Sequence, residues 1–216
     1  MDESSKTEYL IPAGYAAAEF VEKRSRFIGQ VWPVETEEQA RQLIAETKSK
    51  YYDARHSCWC FMIREGGIMR YSDDGEPQGT AGQPMLEVFR RRGVQNVCCV
   101  VTRYFGGILL GAGGLVRAYS HTANLALDTA GIAIVRSWSR FLLECPYGLF
   151  QRVRTELEAI GGTAEDTEYG SNILLTVLVP EGTEKAFAAR MADLSAGTIS
   201  LLANGTALKA VPLNNS

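Results

Sequence analysis

VVTRYFGGILLGAGGLVRAYS, running from Val100 to Ser120, sets five glycines and two arginines between two apolar segments. Glycine weakens both helices and strands, so the chain here needs either backbone conformations closed to other residues or a very close approach to its backbone. The apolar run Val94 to Thr102 predicts a strand, and small residues from about Leu115 to Ala130, closed by Gly131, predict a helix. A strand, a glycine-rich turn and a helix N-terminus together form an anion site, because free N–H groups and the helix dipole point outward. The candidates for it are Arg103 at the strand end, Arg117 in the first helical turn, and the backbone of Gly111, Gly113, Gly114 and Leu115. No Gly-Lys-Ser/Thr closes the segment, so it is not a Walker A loop, and it does not have the spacing of a dinucleotide fingerprint. The competing reading is architectural: the glycines make a tight strand-to-helix corner.

Working upstream, Tyr15 to Val34 reads as two strands turning at Glu22, Lys23 and Arg24. Thr36 with Gln39 predicts a capping box, and Ala40, Leu43, Ile44, Thr47 and Tyr51 mark one face of the helix it starts. His56 to Ile63 predicts a central strand with large side chains on both faces. The polar loop Ser72 to Gly82 leads to Pro84 as the first residue of a short helix ending at Arg90, Arg91 and Arg92 and stopped by Gly93. After Val135 the pattern changes to β-α-β-β-α-β: a strand at Trp138 to Glu144, a helix with Leu149, Phe150, Val153, Leu157 and Ile160 inward, strands at Thr163 to Tyr169 and Ile173 to Val179, a helix with Phe187, Met191 and Leu194 inward, and a strand near Ala207 to Val211. That order is the ferredoxin-like split βαβ pattern. Two α+β domains follow, residues 1–135 and 136–216.

The 216 residues are 46% hydrophobic and 22% charged, the balance of a globular chain. The net charge is −3, with 15 Lys+Arg against 16 Asp+Glu up to Val135 and 7 against 9 after it, so any basic footprint is a local patch. MDESSKTEYL lacks the apolar core of a signal peptide, and no apolar run reaches the ~18 residues of a membrane span. Five cysteines, with Cys98 and Cys99 adjacent in one strand, fit reduced buried thiols and a cytoplasmic protein.

Three other groups are chemical candidates. Asp73, Asp74 and Glu76 form an acidic turn that could hold Mg²⁺ or pair with a nearby arginine. His56, Cys58 and Cys60 share one strand face, where zinc ligation or a Cys–His pair competes with ordinary buried thiols. Lys23, Arg24 and Arg26, with Arg90, Arg91 and Arg92, are the densest basic clusters; the triple arginine suits a helix C-terminus, and a phosphate-binding surface is the alternative.

SDDGEPQGTAGQPML (Ser72 to Leu86) and VVTRYFGGILLGAGGLVRAYS, with SRFIG at Ser25 to Gly29 and DARHSCWCF around His56, resemble the signature of the YigZ/IMPACT family. The likeness covers about Tyr15 to Gly131, and the tail is similar to the second domain of the bacterial members. The sequence departs from the family pattern at Ser57 and Cys60. The resemblance implies a two-layer α/β N-terminal sandwich like that of a small-subunit ribosomal protein and of domain IV of elongation factor G, and a ferredoxin-like C-terminal domain like domain V of that factor. It also implies translation regulation, since eukaryotic members restrain a stress-responsive kinase by competing for its activator. Kinases of the GHMP type share the N-domain architecture, but GAGGLVRA stands where they carry a serine-rich loop.

The sequence therefore predicts a cytoplasmic regulator that binds RNA or a ribosome-associated protein through its N-terminal domain. No residue is assigned a catalytic role, and neither cofactor nor resident metal is expected. The alternatives are a phosphate- or nucleotide-handling enzyme with its site between the SDDGEP loop and the glycine corner, and a protein–protein regulatory module.

Overall fold

The computed structural model describes residues 8–213. Its contacts divide the chain into two units: residues 9–134 with the last described residues from Ala210 on, and residues 135–209 with Glu8. Both are mixed α+β, and the division falls inside one long strand.

The first unit is built on a five-stranded sheet. β1 (Tyr9–Pro12) stands apart from it, with Gln95 N donating to Leu10 O at 2.8 Å. β2 (Ala16–Glu22) and β3 (Ser25–Pro33) form a hairpin whose two turn residues, Lys23 and Arg24, both take positive φ, 46° and 65°. That left-handed pair matches the twist of the flanking strands. α1 (Glu37–Lys50) starts at the expected capping box of Thr36 and Gln39. β4 (His56–Ile63) and β5 (Ile68–Ser72) pair antiparallel, and α2 (Gly82–Arg91) follows the polar loop. β6 (Val97–Tyr104) leads through the glycine segment to α3 (Ala112–Ala130). The sheet order is β2-β3-β6-β4-β5, so β6 is central and β4 lies next to it.

β6 is buried along seven of its eight residues, which requires cover on both faces. α2 and α3 cover one face, over Phe27, Val31, Cys58, Cys60, Cys99 and Val101. α1 covers the other, packing Ala40 and Ile44 on Phe61, Ile63, Cys98 and Val100. The expected two-layer sandwich is thus corrected to helices on both faces of the central strands. Two helix starts also move. Pro84 is the third residue of α2 rather than its first, and α3 begins three residues before Leu115.

The second unit begins within β7 (Ile132–Cys145) and continues with α4 (Tyr147–Ala159), β8 (Thr163–Tyr169), β9 (Ile173–Pro180), α5 (Glu184–Ser195) and β10 (Leu201–Pro212). β9 lies between β7 and β8, and β10 pairs with β7. Val153, Leu157, Phe187 and Met191 from the two helices pack with Leu175, Val177 and Val179 of β9 into one core.

Candidate functional site

The antiparallel register carries four chain segments to one end of the first sheet. Arg103 lies opposite Phe27 and His56, Arg26 lies opposite Tyr104, and the β2–β3 turn closes beside them. The loop Phe105 to Gly111 crosses this end before α3 starts. Gly106 is what lets it sit there: a Cβ on Gly106 would lie 2.0 Å from the Arg24 carbonyl carbon and 2.2 Å from its oxygen. Its own N–H donates to Ser25 Oγ at 3.2 Å. Gly111, at φ 72°, is the N-cap of α3 and makes no side-chain cap. Both readings of the glycines therefore have a physical basis at different positions.

Beneath the loop, Arg103 is held inside the unit. Its Nη1 donates to Glu76 Oε1 at 2.7 Å and its Nη2 to Ser25 Oγ at 3.3 Å. Its guanidinium lies 5.4 Å from the Phe27 ring centre and 5.5 Å from that of Phe105. Nε has no hydrogen-bond partner among the described residues. The Tyr119 hydroxyl also donates to Glu76 Oε1, at 2.8 Å, and burial pushes the Tyr119 phenol up so that it stays a donor. Glu76 thus neutralises Arg103.

Above that pair opens a cleft of about 360 Å³ lined by Arg55, His56, Glu76, Arg103, Phe105, Leu109, Leu110, Gly111 and Leu115 among others. His56 Nδ1 lies 2.8 Å from the Asp74 carbonyl oxygen, which can only accept. Nδ1 therefore carries the proton, and in the neutral ring Nε2 is the acceptor. A second cleft, of about 340 Å³, is lined by Phe20, Glu22, Lys23, Leu110, Gly114, Arg117, Ala118 and His121. Leu110 borders both. Arg103 and Arg117, both proposed for one anion, line separate clefts.

The predicted anion cradle is corrected in two respects. Leu115 N donates to Gly111 O at 3.0 Å, closing the first helical turn, so it is not open. With Ala112 as the first residue of α3, Arg117 falls in the second turn, where the dipole argument has weakened. The N–H groups before Leu115, including those of Gly113 and Gly114, have no intrahelical acceptor.

The acidic turn holds the loop together. Asp73 accepts from Gly79 N, Ala81 N and Gly82 N at 2.8, 3.0 and 2.8 Å, which fixes the start of α2. Asp74 pairs with Lys48 at 2.5 Å and accepts from Ser57 N at 2.7 Å. With Glu76 on Arg103, the three carboxylates take separate protein partners, and no group of three or more His, Cys, Asp or Glu among the described residues is arranged to hold a metal ion. Cys58 Sγ donates to Asp73 O at 2.9 Å, and burial pushes this thiol up to about 12.

The basic clusters separate. Arg26 makes a two-point pair with Glu19. Arg90 and Arg91 pair with Glu87, and Arg92 pairs with Asp128. Arg91 and Arg92 line a groove with Val116, Ser120 and Asn124 of α3, whereas Lys23 meets Arg117 and His121 across α3. Lys23, Arg24, Arg55 and Arg117 are exposed and make no ion pair among the described residues. Sequence alone does not single out Arg55, Tyr119 or Lys48. Tyr119 and Arg55 lie inside the quoted motifs, but only the fold shows what they face.

Residues 23–127 match the Impact N-terminal domain, and residues 143–198 match a domain of unknown function, DUF1949. The chain is 38% identical over 181 residues to IMPACT family member YvyE of Bacillus subtilis, covering 83% of each. It is 35% identical over 198 residues to IMPACT family member YigZ of Escherichia coli, covering 90% of this chain and 97% of that one. The crystal structure of a hypothetical protein, 34% identical, superposes with a TM-score of 0.58 over 92% of this chain and 98% of that one. The chain belongs to the IMPACT family. Among the described residues no helix is long and apolar enough to cross a membrane.

Proposed function

We propose that the protein is a cytoplasmic regulator of translation that acts by binding, engaging RNA or a ribosome-associated partner through its first unit. The observation that carries this reading is the end of the first sheet, where the uncapped start of α3 and four cations that make no ion pair among the described residues surround an exposed apolar loop. Such a surface attracts an anionic macromolecule although the whole chain carries −3. The pairing of β9 between β7 and β8, with β10 also on β7 and both helices packed in one core, supports reading the second unit as ferredoxin-like and similar to domain V of elongation factor G, β1 being an added strand on β7. We read the two units as separately folding domains, the first similar to domain IV of that factor. Sedimentation of the purified full chain with ribosomes tests the function: co-migration is expected, and a chain that stays free at low salt would overturn it.

The fixed tautomer of His56 favours a second reading, a phosphate-handling enzyme with His56 as proton acceptor in the first cleft. Turnover of phosphate esters by the wild type that is abolished in His56→Gln would establish it.

A further inference from the structure

We infer that the end of the first sheet at which α3 begins is a docking groove for single-stranded RNA; the choice of RNA rests on the translational reading above. Three observations converge there. First, the charge is unbalanced. Arg26, Arg41, Lys48, Arg90, Arg91, Arg92 and Arg103 all have acidic partners. Lys23, Arg24, Arg55 and Arg117 have none among the described residues, and they lie on the β2–β3 turn, before β4, and along the second cleft. Lys50, over the Tyr51 ring, and Arg70, on edge strand β5, also lack an acid among the described residues but lie outside both clefts. The carboxylates nearby include Glu22, which lines the second cleft, Glu76, taken by Arg103, Asp74, taken by Lys48 and Ser57 N, Glu19, taken by Arg26, and Asp53, which accepts from the Tyr104 hydroxyl.

Second, the loop between these cations is apolar and open: Phe105, Ile108 and Leu109 are 43%, 42% and 82% exposed. The Phe105 ring is backed by the Arg103 guanidinium, which leaves an aromatic surface braced from within the protein. Base stacking on such a ring tolerates any sequence.

Third, the two clefts meet at Leu110, with the free N–H groups at the start of α3 between them. Phosphates fit at Lys23 and Arg117 and at the helix start, and an unstacked base fits against Phe105 and Leu109. A duplex offers its phosphates as continuous ridges and keeps its bases stacked inside, so the apolar ridge favours a single strand.

The test is fluorescence anisotropy of the full chain with a labelled single-stranded RNA, the corresponding duplex RNA and the DNA strand of the same sequence, each at low and at higher salt. The single-stranded RNA is expected to bind tightest. Lys23→Ala with Arg117→Ala should weaken it about tenfold or more and flatten the slope of log affinity against log salt by roughly 0.7 per cation removed. Phe105→Ala should weaken it about tenfold with the slope kept. Arg90→Ala with Arg91→Ala should leave it unchanged, and circular dichroism should show every variant folded. Absence of RNA binding by the wild type, preference for the duplex, equal binding of DNA, or equal losses in the Arg90/Arg91 variant would overturn the groove. Ribosome association that survives nuclease and the Lys23/Arg117 changes would point to a protein partner, sinking this inference while leaving the translational reading intact. Loss of both RNA binding and ribosome association would sink both.

Discussion

The Arg103 guanidinium and the Glu76 carboxylate meet at 2.7 Å with side chains only 7% and 3% exposed. Tyr119 completes the arrangement from α3, so strand, polar loop and helix are joined at one carboxylate oxygen. Taking one partner away leaves a buried charge uncompensated, which costs far more than the pair contributes. Glu76→Ala is expected to lower unfolding stability by about 3–5 kcal/mol. Tyr119→Phe, which removes one hydrogen bond and keeps the ring, should cost about 1–2 kcal/mol. Urea denaturation measures both, and a Glu76→Ala variant as stable as Tyr119→Phe would show that the pair is not what fixes the corner.

The neighbouring aspartates give a second expectation. Asp73 accepts three backbone N–H groups of the loop and the start of α2, and Asp74 accepts from Ser57 N while pairing with Lys48. Asp73→Asn with Asp74→Asn should therefore destabilise the protein by roughly 2–4 kcal/mol through lost charge-assisted hydrogen bonds. Added Mg²⁺ should not change the stability of the wild type. A magnesium-dependent rise in melting temperature that this double variant abolishes would make the acidic turn a metal site.

The fold was legible where the chain announces itself locally. The Thr36–Gln39 capping box, the β2–β3 turn, the stop of α2 before Gly93 and the order of elements after Val135 all depend on near neighbours in sequence. The layering of the first unit was not, because which face of β6 a distant helix covers is a tertiary outcome. The apolar run on both faces of β6 was the available clue. At the site, sequence singled out Arg103, Glu76 and the glycines, but not that Glu76 rather than Asp73 or Asp74 meets Arg103. Three acids within four residues are equivalent until the loop's backbone hydrogen bonds place each one.

The buried thiols make stability depend on pH. Burial pushes Cys58 and Cys98 up to about 12, and Cys60 and Cys99 well above the ordinary thiol range. An unfolded thiol ionises near about 8.5. Because the folded-state values are raised, the stabilisation is fully present below the unfolded value and is lost as pH rises through the folded ones. Under reducing conditions the urea midpoint should hold between about pH 6 and 8 and fall above about pH 9. The same protonation makes these thiols slow to react with a disulfide reagent in the native protein and fast in urea. Rapid native labelling near neutral pH would contradict the account.

Gly106 and Gly113 separate the two uses of the glycine segment. At Gly106 a Cβ would meet the Arg24 and Ser25 backbone at 2.0–2.5 Å, so neither strand turn nor loop can give way by a rotamer change. Gly106→Ala should destabilise the first unit by about 1–3 kcal/mol, the ordinary cost of overpacking, or more because the obstacle is backbone. At Gly113, inside the first turn of α3, the nearest atom to a Cβ is Arg117 Nη1 at 3.6 Å, an ordinary contact. Folding gains nothing from glycine there, and Gly113→Ala should raise stability by up to about 1 kcal/mol through helix propensity. If the open N–H groups of this turn receive a phosphate, the same change crowds its approach. RNA binding by Gly113→Ala should then fall severalfold while the melting temperature rises. A variant that is more stable and binds equally well would mean that the helix start takes no part in the groove, and that the glycine segment serves the fold, through the close approach at Gly106 and the positive φ of Gly107 and Gly111.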